Sequence, residues 1–126
     1  MDELTTIDSV IQEVDALDHN TMDPEDKVRW LSRLDGQLHQ KYVAGRVGAP
    51  DWKPYTMDTP GDTPLLCQHP WDDIYIHWLR AHIALFNGEN DQYSDEMALV
   101  GQSERLFSAS YAASHPKTGA GSRFLF

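Results

Sequence analysis

The sequence predicts an all-α fold of four helices with a long central loop and an extended C-terminal arm, and three observations carry that prediction. Apolar residues recur at three- and four-residue spacing in four separate stretches, the period of a helix with one face on a core. Capping and stopping residues bracket these stretches, with Asp23-Pro24 before one and Asn87-Gly88 after another. One stretch, 69–89, is apolar almost all round, so its helix has to be enclosed by the others. The same reading predicts little regular sheet.

Thr5-Thr6-Ile7-Asp8 places hydroxyls and then an acid at a helix start, and Ile7, Val10, Ile11, Val14 and Leu17 form one apolar stripe until Asp18-His19-Asn20-Thr21 breaks the period. Asp23-Pro24-Glu25-Asp26 opens a second helix with a cap, a tolerated proline and two acids at the positive dipole end. It runs through Val28, Trp30, Leu31, Leu34, Leu38 and Tyr42 to Gly45 and Gly48. Gly36 inside it costs about 1 kcal/mol relative to Ala, which points to close approach by another helix.

Residues 49–63 hold Pro50, Pro54, Pro60 and Gly61 and show neither helical nor strand period. A loop that long is either functional or disordered, and its aromatics argue against disorder. Trp52 and Tyr55 are expected to pin it to its own core or to another subunit. Leu65-Leu66-Cys67 then leads, extended, into the central helix.

That helix begins behind Pro70 with Asp72 and Asp73 at its positive end and stops at Asn87-Gly88. Trp71, Tyr75, Trp78, Leu79, His82 and Phe86 form its main stripe, Ile74, Ile76, Ile83 and Leu85 widen it, and only Asp73, His77 and Arg80 offer a wet face. A fourth helix, from about residue 92 to 114, carries Tyr93, Met97, Val100, Phe107 and Tyr111, is broadened by Leu99 and Leu106, and has a point of possible bending at Gly101. Pro116 forbids continuation. Residues 1–116 are thus expected to form a helical domain. Residues 117–126 follow as an arm with Gly119 and Gly121 early in it and Arg123, Phe124, Leu125 and Phe126 at its end.

At 126 residues the chain is one domain, and its single cysteine, Cys67, rules out an internal disulfide. The N-terminal Met1-Asp2-Glu3-Leu4 carries acids where a signal peptide carries bases and a long apolar run, so a soluble, unprocessed chain is expected. Twenty acids against ten bases give a net charge of −10, which disfavours adhesion to nucleic acid or anionic lipid. Ten of the acids fall in residues 1–36, whereas the stretch from His115 onward has Lys117 and Arg123 and no acid. An acidic front and a basic, aromatic tail suit complementary surfaces on a partner or a neighbouring copy.

Chemistry is thinly represented. Asp73 and His77 stand four apart on one helix face, with His69 and His82 nearby, but no third ligand or paired-histidine motif accompanies them. They are expected to be structural, Asp73 orienting His77. No nucleophile elbow, no activated cysteine and no glycine-rich phosphate cradle precedes a helix, so neither a catalytic centre nor a cofactor is expected.

The segment from His69 to Glu89, read as Pro70-Trp71-Asp72-Asp73-Ile74-Tyr75, Leu79, Ala81, Ile83 and Asn87-Gly88-Glu89 with Tyr93 beyond it, resembles the small head-tail connector (neck or adaptor) proteins of tailed phages and prophages. The earlier Lys27-Val28-Arg29-Trp30-Leu31-Ser32-Arg33-Leu34-Asp35-Gly36 resembles a second element of the same proteins. The resemblance spans most of residues 7–111. It implies a connector-type four-helix bundle that is not an enzyme and serves as a virion structural protein, made in the bacterial host cytoplasm and placed at the head-tail neck. It also implies a homo-oligomeric ring, a dodecamer, that binds the portal protein on one side and a stopper or tail-completion protein on the other. DNA passes through its lumen without specific binding, and no membrane is involved. The residues expected to bind partners are Lys117, Arg123, Phe124, Leu125 and Phe126 of the arm and Trp52 and Tyr55 of the loop. The rival readings are an acidic DNA mimic or other regulatory binding protein, and a metal hydrolase using Asp73, His77 and His82.

Overall fold

The computed structural model of the protein describes residues 3–118. The fold is all-helical. Among the described residues there are four α-helices, α1 (Ile7–Leu17), α2 (Pro24–Leu38), α3 (Asp73–Phe86) and α4 (Asn90–Ser114), and no strand. A π-helical turn, His39–Val43, extends α2.

The helix starts follow from local chemistry, with departures from expectation at three of them. At α1, Thr6 and Ser9 form a reciprocal capping box: Thr6 Oγ1 accepts from the Ser9 amide at 3.1 Å, and Ser9 Oγ accepts from the Thr6 amide at 2.9 Å. Asp23 stands at the cap of α2 but makes no side-chain capping bond; Pro24, Glu25 and Asp26 set that terminus instead. Asp72 at the head of α3 likewise makes no capping bond, and its carboxylate accepts from Thr5 Oγ1 at 2.8 Å. α4 begins at Asn90, two residues earlier than expected, and runs unbroken through Gly101.

α3 packs against α1, α2 and α4, whereas α4 packs only on α3 and the π-helical turn. The inner side of α3 is correspondingly broad, with Ile74, Tyr75, Trp78, Leu79, Ala81, His82, Ile83 and Ala84 buried. A helix with one main neighbour buries one narrow stripe, and in α4 that stripe is Glu96, Val100, Ser103 and Phe107. Leu99 and Leu106 are therefore exposed, and so are Leu85 and Phe86 at the end of α3. These four positions depart from the apolar faces expected of them.

The connection from Ala44 to Asp72 wraps the start of α1 and the flank of α2. The amides of Ile7 and Asp8 donate to the carbonyls of Thr63 and Gly61, and the Leu65 amide donates to Thr5 O. Gly36 does not admit a helix. A Cβ there would lie 2.9 Å from Cη2 of Trp52, so the glycine makes room for the loop's indole ring. At the other end of the chain, Lys117 forms a bridge with Arg46, and the Thr118 amide donates to Gly45 O at 2.8 Å. The first two residues of the expected arm are thereby tied to the turn after the π-helical segment.

Candidate functional site

The most organised polar constellation is inside the protein. Asp35 on α2 is fully buried. Its Oδ2 accepts from Tyr55 Oη of the loop at 2.6 Å and from the Leu66 amide at 3.1 Å, and its Oδ1 accepts from Tyr75 Oη of α3 at 2.6 Å. Tyr75 Oη in turn accepts from the Cys67 amide at 2.7 Å. Ser32, one turn before Asp35, accepts the Tyr55 amide at 3.0 Å. One carboxyl group thus holds α2, α3 and both ends of the loop's inner edge together.

Burial pushes the Asp35 carboxyl above the ordinary 3.8, with the three donated bonds pulling it back. Burial likewise pushes the Tyr55 and Tyr75 phenols and the Cys67 thiol up, and the Asp35 charge adds to each shift. A nucleophile or general base is useful when its pKa lies near the working pH. The two phenols and the thiol are displaced away from it, while the raised Asp35 carboxyl is enclosed by the donors that hold it.

A second cluster joins α3 to α4. Glu96, buried, takes His77 Nδ1 at 2.8 Å and lies 3.7 Å from Arg80 Nη1, whose Nε is 3.8 Å from Asp18. Asp73 does not orient His77. It accepts from Ser103 Oγ at 3.2 Å instead, because Glu96 approaches the imidazole from the facing helix. Glu104, an interruption in the sequence pattern, accepts from Tyr42 Oη at 2.6 Å and pairs with Lys41 at 3.3 Å. That bond first, with burial behind it, pushes the Tyr42 phenol up to about 12.

The third group is aromatic. His82 is stacked on Trp30 with ring centroids 3.6 Å apart and meets Trp78 edge-on at 4.4 Å; both of its ring nitrogens are buried without a hydrogen-bond partner. Burial, reinforced by Arg33, lowers its pKa from 6.5 to about 4. A folded-state value below the unfolded one means that the unfolded chain takes up the proton first, so stability is lost as pH falls from 6.5 towards 4. The loss should reach about 3 kcal/mol. Asp35, with its raised value, acts in the opposite sense, so the comparison has to be made against His82→Phe, in which Asp35 cancels. The stability of that variant minus that of the parent should rise by about 3 kcal/mol between pH 7.5 and pH 4 in denaturant titrations; a constant difference would mean that the imidazole is solvated in the fold.

The residues expected to bind partners do not converge. Tyr55 is buried and bonded to Asp35, and Trp52 is half-buried over Gly36, so both lie on the chain's own core. Lys117 sits at the Arg46 bridge, exposed. Arg123, Phe124, Leu125 and Phe126 lie outside the described residues. Asp35 and Glu96 were not expected as organising groups. Their signal was position, since each falls on its helix's apolar stripe, at Leu31, Leu34, Asp35, Leu38 and at Glu96, Val100, Ser103, Phe107.

Among the described residues no group of three or more His, Cys, Asp and Glu side chains is placed to hold a metal ion, and no helix is long and apolar enough to cross a membrane. Comparisons of the chain with known protein families, with curated proteins and with solved structures give no match.

Proposed function

We propose that this chain is a head-tail connector subunit of a tailed phage or prophage, a connector-type bundle of four helices around α3 that assembles as a ring beneath the portal and lines part of the DNA channel. The observation that carries the reading is the bond between Asp35 and Tyr75. Asp35 belongs to the first stretch that resembles connector proteins and Tyr75 to the second, and these residues, 40 apart in the chain, meet at 2.6 Å in the buried hub. Other residues of both stretches have comparable roles. Trp30 stacks on His82 and accepts Trp78 Nε1 at its carbonyl, Ser32 holds the loop, Gly36 admits Trp52, and Gly88 stops α3 with φ +77°. Motifs whose buried acid is enclosed and taken up by Tyr55, Leu66 and Tyr75 fit a structural subunit better than an enzyme.

Charge fits the same reading. Subunits of net charge −10 would present a channel to which DNA does not adhere, since retention requires lysines and arginines that neutralise phosphates. Head-to-tail contacts close into rings when the rotation permits. Within this reading the C-terminal segment is an assembly arm, with arginine and aromatic side chains of the kind that dominate interface energetics.

Truncation after Thr118 tests the arm while leaving its bonds to the Gly45 turn in place. The shortened chain should keep its helical content and melting temperature yet fail to join portal-containing particles. The failure should persist at low and high salt, because the lost contact is mainly apolar. Normal incorporation would remove the arm from the proposal.

A further inference from the structure

An apolar concavity lies along the loop. Trp52, Pro54, Tyr55, Pro60, Pro64 and Leu66 are among the residues that line a groove of about 580 Å³, with Asp51 and Lys53 also contributing to its wall. We infer that this groove receives the C-terminal segment, residues 119–126, of a second copy of the chain, with Phe124 and Phe126 in the groove and Arg123 against Asp51. The inference rests on the connector reading and specifies how adjacent subunits would engage.

Two observations favour that occupant. The first is place: the described chain ends at Thr118, whose amide is bonded to Gly45 O, while Val47 donates to Pro116 O at 2.9 Å. The remaining eight residues thus depart from the turn that leads into Pro50 and the groove wall. Eight extended residues reach on the order of 26 Å, enough to cross to a neighbour whose groove faces that turn.

The second observation is chemical. An apolar groove walled by prolines and two aromatic rings suits phenylalanine and leucine side chains, and an exposed Asp51 offers a partner to the arginine just before them. With arm and groove as different patches of one chain, each copy would give one and receive one, a head-to-tail contact that closes a ring when the rotation permits.

The test uses the full chain, the chain truncated after Thr118, and Pro54→Arg, which places a cation on an exposed residue of the groove wall. In sedimentation equilibrium the full chain should self-associate as its concentration rises, whereas the truncated chain and the Pro54→Arg chain should each stay monomeric. Mixed together, those two should form a one-to-one complex, because one retains the groove and the other the arm. Asp51→Arg should weaken self-association and Arg123→Asp in the same chain should restore it, a reversal that misfolding cannot produce. Phe124→Ala should weaken it about tenfold or more.

A full chain that stays monomeric at every concentration would overturn the inference, and so would self-association unaffected by the truncation or by Pro54→Arg. Either result leaves the connector reading to be judged separately, by incorporation into portal-containing particles. Incorporation lost on truncation while self-association never occurs would assign the arm to the portal instead of a neighbouring copy.

Discussion

Asp35→Ala is expected to destabilise the fold by about 3 to 5 kcal/mol, since three buried donors would each lose an acceptor at a cost of about 1 to 3 kcal/mol, the lower part of that range applying after relaxation. The carboxylate accepts from two phenols and one amide, and without it two donors of the loop and one of α3 lose their acceptor in a buried site. Asp35→Asn should fall between. Its carbonyl oxygen can keep Tyr55 and Leu66, and its amide can donate to Tyr75 Oη, but the Tyr75 proton then has no acceptor. Denaturant unfolding with an unchanged m-value measures the difference. An alanine variant within about 1 kcal/mol of the parent would mean that water enters the hub.

Trp78→Ala should cost a similar amount, about 3 to 5 kcal/mol, as large aromatic residues do when emptied from a core. Trp78 is buried on α3, donates through Nε1 to Trp30 O at 2.8 Å, and meets both Trp30 and His82 edge-on. Its loss would open a cavity where α2 and α3 cross and would leave a helical carbonyl of α2 without that donor. Trp78→Phe, which keeps most of the ring but not the N–H, should recover more than half of the loss in thermal or chemical denaturation. Unchanged melting of Trp78→Ala would show that α3 is not enclosed as described.

The helices were legible because a 3.6-residue period survives any context that buries one face. α1 ends at Leu17 and α4 at Ser114, where Asp18 and Pro116 indicated they would. How far each helix is covered was less legible, since it depends on how many neighbours touch it. Phe86 continues the apolar stripe of α3 and Leu106 broadens that of α4 in sequence, but both stay exposed because the contact between the two helices covers only a narrow stripe of α4 and stops short of Phe86. Least legible was the hub. An acid on an apolar stripe can lie outside the core or inside it with partners, and the partners of Asp35 are 20 and 40 residues away in the chain. The loop had no period to read, so the meeting of Trp52 with Gly36 was visible only as an unexplained glycine and an unexplained indole.

The proposed ring-forming role predicts, in electron microscopy of the chain mixed with portal assemblies, a closed ring of copies, coaxial with the portal and open along its axis, that is absent when residues 119–126 are removed. A chain that remains monomeric or dimeric beside the portal, and that instead competes with DNA for a nucleic-acid-binding protein, would contradict it and identify an acidic mimic.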